Sequence, residues 1–384
     1  MIAVIADDLT GAAEIGGIAL RYGLRVVMDT RVHDTVDTDV LVIATDARSK
    51  RVEEAKALIA AITKDLQALG PQLIFKKTDS LLRGHVGEEL LAQMQASGKK
   101  KALLVPANPR LKRTIQAGIY HADGVPLHQS DLADAARKRI ATSAVLDLVG
   151  ARFQPFTTVV SKEESFPASG IIIGNTLTEA DLDDWAGRVD EHIIPAGSGG
   201  FFNAVVKSRV GEKQEIRFDT IAVGKKMIWV CGSAFPLSKA NVVQARTNGR
   251  CVAYMPETIF CEGVEQDGLI KAWVQEIVAG LQKNGDVIMA VGELNCDSAA
   301  DVPAKIRQLM AIAIEQAMQQ TEVNEIIIEG GATASSIIEQ LHYERFFPVQ
   351  ELAQGVIRMK VQEAQGLHLT MKPGSYQWPS SIWK

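Results

Sequence analysis

Cysteine is scarce in this 384-residue chain, and the four present (Cys231, Cys251, Cys261 and Cys296) show neither C-x-x-C spacing nor clustering. That excludes a disulfide framework and a cysteine zinc site, and free thiols in a reducing cytoplasm are the expectation. No apolar run approaches 18 residues, so no segment reads as a membrane-crossing helix. A first strand read from Ile2 leaves no room for a signal peptide, and the expected location is cytoplasmic. Neither sign of charge dominates: 41 Lys and Arg against 46 Asp and Glu leave a net charge of −5, spread along the chain. Such a balance disfavours a nucleic-acid or anionic-membrane partner. The signatures G-x-x-x-x-G-K-[ST], G-x-G-x-x-G, H-E-x-x-H and G-x-S-x-G are all absent, as are internal repeats and low-complexity segments. A Walker loop, a dinucleotide fingerprint, a zinc protease helix and a hydrolase nucleophile elbow are thereby set aside.

What is present is a globular composition, 47% hydrophobic and 23% charged, on a chain long enough for two domains. The first half alternates apolar runs with helical patterns. Strands are expected at 2–6, 24–30, 38–48, 71–80 and 100–110, and helices at 12–21, 51–69 and 86–97. Near-continuous apolar strands alternating with helices predict a parallel sheet covered on both faces. Ligands of such sheets bind beyond the carboxyl ends of the strands. Four strand ends here are polar: Asp7-Asp8-Leu9-Thr10-Gly11, Thr45-Asp46-Ala47-Arg48, Lys76-Lys77-Thr78-Asp79-Ser80 with Arg83-Gly84 behind it, and Pro106-Ala107-Asn108-Pro109-Arg110. Each alone would serve as an ordinary helix cap. Together they predict a polar small-molecule site. Lys77 and Arg83 are donors for a carboxylate or phosphate, and Asp7, Asp8, Asp46 and Asp79 are acceptors for hydroxyls. That combination describes a sugar acid.

The second half is less regular. Residues 124–150 read as a loop and then a helix, 169–189 as strand and capped helix, and 192–210 as strand, glycine-rich turn and helix. The polar stretch 211–225 is the expected linker between domains at 1–210 and 226–384. Strand–turn–helix units are expected at 227–245 and 325–341, a strand at 285–295, a long helix at 301–320 and a closing β-rich tail that contains 366–377. Three turns have the composition to hold phosphate: Gly232-Ser233, Gly330-Gly331-Ala332-Thr333 and Lys372-Pro373-Gly374-Ser375. In the first two, free backbone N–H groups and the helix dipole would meet at the turn. A single such turn is more often plain tight packing or a helix start; the three in one domain together suggest nucleotide phosphate.

On these residues the chain resembles the four-carbon acid sugar kinases. "ADDLTGA" (6–12) is similar to their amino-terminal signature and "KKTDSLLRGHVGEEL" (76–90) to their K-K-x-D-S-x-x-R-G-x-x-G block. "VPANPRLKRTIQAGIYHADGVPL" (105–127), "AGSGGF" (196–201), "CGSAFPLSKANVVQ" (231–244), "GGATA" (330–334) and "KPGSYQ" (372–377) resemble the remaining blocks. The likeness runs over essentially the whole chain. It implies a two-domain α/β fold, with an amino-terminal parallel-sheet substrate domain, a carboxyl-terminal nucleotide-binding domain and the reaction in the cleft between them. It also implies phosphorylation of D-threonate, D-erythronate or a 3-oxo-tetronate, with ATP and Mg²⁺ as cofactors. Departures fall mostly in the second half. Ala332 stands where an acidic residue is usual, Gln377 where glycine is, Phe235 where serine is, and Lys112 where glycine precedes Arg113; the aspartate expected near Gly174-Asn175 is missing.

The expected site then has Asp8 and Asp79 as catalytic groups, and Asp7, Arg48, Lys77, Ser80 and Arg83 on the sugar acid. Ser233, Gly330, Gly331, Ala332, Thr333 and Gly374 are expected on the nucleotide, with no metal ligand assigned. Alternation along a strand sends neighbouring side chains to opposite sides, so only one of the paired aspartates is the main substrate contact. Asp8, nearer the helix, is the expected one, with Asp7 turned toward the backbone. Two other classes stay open at this point. One is a sugar-acid-binding protein with a degenerate ATP site, suggested by Ala332 and Gln377; the other is an oxidoreductase, weakened by the missing dinucleotide fingerprint. The expected partners are small molecules, and a homodimer is compatible with the sequence.

Overall fold

Short runs of Val, Ile, Leu and Ala, buried on both faces, become strands because they are too short for helices and are closed off by polar turns. The computed structural model describes the chain apart from residues 34–36, 135–139, 212–222, 233–235, 262–266, 293–301, 375 and 384. It divides into two units, Met1–Arg217 and Phe218–Lys384. Most of the expected linker at 211–225 lies outside the described residues.

The first unit opens with β1 (Ile2–Ala6), α1 (Leu9–Arg21), β2 (Val26–Asp29), β3 (Val40–Ala44), α2 (Val52–Ala68), β4 (Leu73–Lys77), α3 (Val86–Ser97) and β5 (Lys101–Val105). It continues with β6 (Arg113–Gln116), β7 (Ile119–Ala122), β8 (Val125–Pro126), α4 (Asp131–Asp134), α5 (Val145–Val149), β9 (Thr157–Val160), β10 (Gly170–Gly174), α6 (Glu179–Gly187), β11 (Ile193–Gly197) and α7 (Gly199–Val210). Eight strands pair in the order β2-β3-β1-β4-β11-β5-β10-β9, every pairing parallel. Helix α2 buries Ala55, Ile59, Ile62 and Leu66 at helical spacing against that sheet, with Glu53 and Glu54 in its first turn where the dipole favours them.

Two features differ from expectation. Helix α1 begins at Leu9, three residues before the expected start, because Asp8 caps it. A small antiparallel sheet, β6-β7-β8, occupies a stretch for which the sequence reading predicts no strand. Its turns, Ala117-Gly118 and Asp123-Gly124, hold positive φ at both central residues, the twist that tight hairpins need. Asp-Gly is the sequence signal for that turn, and it was present.

The second unit contains β12 (Met227–Cys231), α8 (Pro236–Thr247), β13 (Val252–Met255), α9 (Glu257–Cys261), α10 (Asp267–Asn284), β14 (Asp286–Val291), α11 (Val302–Gln320), β15 (Glu325–Glu329), α12 (Gly331–Gln340), β16 (Arg345–Ala353), β17 (Val356–Val361) and β18 (His368–Lys372). Strands β13-β14-β12-β15-β18 run parallel, and β17 and β16 continue the sheet antiparallel. A buried pair fixes the junction: Arg358 on β17 donates from Nε (3.0 Å) and Nη2 (2.8 Å) to Glu325 on β15, which also takes the Thr370 hydroxyl at 2.7 Å. No helix among the described residues is long and apolar enough to cross a membrane.

Candidate active site

The register of the first sheet brings the polar strand ends level. Ala6 pairs with both Ala44 and Lys77, and Gly197 pairs with both Lys77 and Val105. Because all these strands are parallel, Asp7-Asp8, Thr45-Asp46, Thr78-Asp79, Ser198 and Asn108 emerge at one edge. The expected cluster therefore forms along adjacent strands, with β11 inserted between β4 and β5.

Arg48 is its centre. Its Nε and Nη2 donate to Asp7 Oδ2 at 3.1 and 2.8 Å, its Nη1 to Asp8 Oδ2 at 3.3 Å, and Nη1 lies 3.6 Å from Asp79 Oδ1. Asp8 also caps α1: Oδ1 accepts from the Gly11 N–H at 2.9 Å and Oδ2 from the Thr10 hydroxyl at 2.6 Å. Glycine at position 11 leaves room for this cap, since a Cβ would stand 2.6 Å from Asp8 Oδ1 and 3.0 Å from Lys77 Nζ and force those side chains to shift. Asp79 is saturated. It takes the Nε (2.6 Å) and Nη2 (2.7 Å) of Arg83 together with the Leu81 and Arg83 backbone N–H groups.

Burial pushes the Asp8 carboxyl up, but Arg48, Lys77 and the Thr10 hydrogen bond together bring it below its ordinary value. Asp79 is held far lower, where burial is overcome by Arg48 and Arg83. Both are carboxylates at neutral pH. Asp46 goes the other way, raised by burial, with its carboxylate accepting from Ser49.

Exposure separates the roles. The Arg83 side chain is 45% exposed and its Nη1 makes no hydrogen bond among the described residues, so a half-open guanidinium is held in a fixed plane by Asp79. Asp8 is 16% exposed against 3% for Asp7 and 8% for Asp79, which makes it the most reachable of the three carboxylates. Two expectations are corrected. Asp7 is turned to Arg48 and not to the backbone, because a buried cation next to it offers a stronger partner than an amide. Lys77 does not stand ready for a carboxylate: only 5% exposed, it sits 3.3 Å from Glu14 and donates to the Thr78 carbonyl at 3.1 Å. Burial alone would lower the Lys77 pKa, yet Glu14, Asp7 and Asp8 raise it. Ser80 accepts from Arg113 Nη1 at 2.6 Å.

Arg113, Glu14, Lys76 and Glu89 were given no role from sequence. Arg113 orders Ser80. Glu14, one turn beyond Gly11 on the same helical face, pairs Lys77, and that i, i+3 spacing was its signal. Lys76 and Glu89 form a fully buried pair at 2.8 Å behind the cluster. Asn108 Oδ1, Thr78 Oγ1 and Asp7 Oδ1 are buried without a hydrogen-bond partner among the described residues, and they stand on three of the level strand ends. Unmet buried polar atoms are uncommon, and three of them lie at this edge of the sheet.

In the second unit the three expected turns follow β12, β15 and β18, which are neighbours in the sheet. Ser233 lies outside the described residues. A Cβ on Gly232 would stand 3.5 Å from Thr333 Oγ1, so the first turn approaches the second. The Gly330 N–H donates to the Lys372 carbonyl at 2.9 Å, tying the second turn to the third, which contains Gly374. Gly330, at φ 95°, caps α12, and no atom of the described residues lies within 4 Å of where its Cβ would be. Gly331, Ala332 and Thr333 form the first turn of α12, whose N–H groups have no acceptor within the helix. That open, donor-rich helix start fits a phosphate. The Lys372 side chain does not join it, against expectation: it is buried and turned inward to Glu329 Oε1 at 2.7 Å, while Glu329 takes the Ser238 hydroxyl at 2.6 Å.

Comparison with known proteins agrees with this division. Residues 2–205 match the family model described as a sugar-binding N-terminal domain, and 228–376 match a nucleotide-binding C-terminal domain. The chain is 24% identical to a D-threonate kinase of Salmonella typhimurium over 91% of its own length and 88% of the relative's. It is 25% identical to a D-erythronate kinase of Heliobacterium modesticaldum (89% and 81%), and 21% identical to a 3-oxo-tetronate kinase of Methylobacterium radiotolerans (97% and 95%). Solved structures from Salmonella typhimurium (TM-score 0.79, 18% identity, 98% and 96% coverage) and Haemophilus influenzae (TM-score 0.72, 20%, 98% and 97%) share the fold.

Proposed function

Because this chain belongs to the four-carbon acid sugar kinase family, we propose that it transfers a phosphoryl group from ATP to a hydroxyl of D-threonate, D-erythronate or a 3-oxo-tetronate. It is a phosphotransferase with an alcohol group as acceptor. The observation that carries the substrate side is the half-open Arg83 guanidinium, fixed by Asp79 beside the reachable Asp8 carboxylate. Arg83 takes the substrate carboxylate. Asp8 accepts the hydrogen bond of the reacting hydroxyl and its proton as transfer proceeds. Phosphoryl transfer asks little basicity of such a group and much positioning, so a carboxylate below its ordinary pKa suffices. Asp79 and Asp7 are positioning residues, the first for Arg83 and the second for Arg48, which balances the negative charge of the cluster. Ser80 and the unpartnered Asn108 and Thr78 meet the remaining substrate hydroxyls. Lys77 holds Glu14 and the aspartates in place.

On the nucleotide side, the N–H groups at Gly331, Ala332 and Thr333 hold phosphate oxygens, with Gly330, Gly374 and Ser233 completing the turns. Magnesium belongs to this reading as the ion of the nucleotide phosphates. It needs at most one or two carboxylates, and no group of three or more His, Cys, Asp and Glu placed to hold a metal ion is found among the described residues. Cytoplasmic location, a homodimer and the domain limits 1–210 and 226–384 are retained from the sequence as part of the proposal. The binding-protein alternative is not favoured, since the named kinase relatives span nearly the full length of the chain.

The test is ADP release from ATP and Mg²⁺ across D-threonate, D-erythronate and 3-oxo-tetronates. Stimulation by at least one of these acids is expected. A melting-temperature shift from one of them with no ADP release from any would support the binding protein instead.

A further inference from the structure

Ser238, Glu329 and Lys372 form a buried triad on the three segments that border the phosphate-type turns of the second unit. Ser238 lies at the start of α8, just after the Gly232-Ser233 turn. Glu329 ends β15, just before Gly330-Gly331-Ala332-Thr333, and Lys372 ends β18 and opens the third turn. Glu329 and Lys372 are direct partners on the last rung between their parallel strands. Lys372 Nζ donates to Glu329 Oε1 at 2.7 Å, and the Ser238 hydroxyl donates to Glu329 Oε2 at 2.6 Å. Both carboxylate oxygens are taken, one by each neighbour. The three residues are 4%, 4% and 1% exposed. The Trp378 ring stands over the same ammonium, its centre 4.9 Å from Nζ.

Stability of the fold is a poor reason for this arrangement. Burial pushes the Lys372 ammonium below its ordinary pKa, although Glu329 opposes the shift. Replacing a buried ion pair by apolar residues of similar volume is often neutral or stabilising. What an apolar pair lacks is direction. A carboxylate that takes one hydrogen bond on each oxygen holds α8, β15 and β18 at fixed separations, because such bonds are short and aligned. The Gly330 N–H bond to the Lys372 carbonyl, at 2.9 Å, adds a backbone tie at the same place.

We propose that Ser238, Glu329 and Lys372 are positioning residues for the nucleotide. They touch no phosphate themselves. They hold the three turns at the spacing in which the free N–H groups at the start of α12 meet one. This role rests on the reading of these turns as the nucleotide site and is independent of which acid is phosphorylated.

Calorimetric titration of the full chain with ADP and Mg²⁺ tests the role. Changes in a buried triad lower the melting temperature whatever its function, so dissociation constants are compared well below each variant's melting point. Glu329→Gln, nearly the same in size, is expected to bind ADP at least about tenfold more weakly, because a misplaced phosphate oxygen forfeits a hydrogen bond to a charged group. Should Glu329→Gln fail to fold, Ser238→Ala is read in its place with the same expectation. Thr370→Val is the control. It removes a hydroxyl-to-carboxylate bond of 2.7 Å to Glu325, at the other end of β15, and should leave ADP binding unchanged. ADP binding unaltered in the variant that is read, or weakened equally by Thr370→Val, overturns the proposal. No ADP binding by the unaltered chain would instead overturn the nucleotide reading of the turns, and the proposal with it.

Discussion

Asp8 caps α1 and, in the proposed reaction, receives a proton, and a single substitution separates the two roles. As the cap of α1 it needs only an acceptor, and Asn caps as well as Asp. As the group that receives a proton it needs a carboxylate, and a positioned base contributes about 10²–10⁴-fold. Asp8→Asn is therefore expected to keep the melting temperature within a few degrees while kcat falls at least about a hundredfold; unchanged kcat would leave Asp8 a cap and nothing more. Arg83 separates along another axis. A hydrogen bond to a charged group contributes about 1.5–3 kcal/mol, so Arg83→Ala should raise the KM for the sugar acid about ten- to a hundredfold and leave that for ATP unmoved. Equal rises in both would place Arg83 on the fold or on the phosphates. At this scale the sequence was informative about residue type and less so about commitment. Asp8, Asp79, Arg48 and Arg83 meet as their positions at strand ends implied. That Lys77 is taken by Glu14, and Lys372 by Glu329, depends on contacts between elements, which no local pattern contains.

Strand β4 and helix α3 are joined through Lys76 and Glu89, at 0% and 2% exposure. Burial raises the Glu89 carboxyl above its ordinary value despite the Lys76 charge. Removing one partner of such a pair leaves the other charge stranded, at about 3–5 kcal/mol, whereas replacing both by apolar residues is often neutral. Urea unfolding should show Lys76→Met and Glu89→Leu each strongly destabilising and the double variant much less so; additive losses would mean that the pair is not coupled. At the start of α12, Ala332 stands where the family usually has an acidic residue. Ala332→Asp is expected to lower the KM for ATP, by offering an acceptor to a ribose hydroxyl or a magnesium-bound water. A rise would show that this turn holds its phosphate differently. Parallel strands were legible because each is a continuous apolar run. Hairpin β6–β7 was not, because its turn is Ala117-Gly118 where Asn-Gly would have announced it. The buried Arg358–Glu325 pair similarly disguised β17, whose inward-facing arginine breaks the apolar pattern that identifies a strand.

For the whole molecule, the two units and their order were readable from two successive runs of strand–helix alternation, and the family models divide the chain in the same order. The choice among four-carbon acids was not, since in the proposed reaction it would turn on how Ser80, Asn108 and Thr78 meet individual hydroxyls. The account's central claim is phosphoryl transfer to a sugar-acid hydroxyl, and following the γ-phosphoryl group of labelled ATP tests it most directly. Incubated with Mg²⁺ and the most active acid, the protein should place the label on that acid as a phosphate monoester, mole for mole with the ADP formed. Label recovered only as inorganic phosphate, or left on ATP while the acid binds, would contradict it.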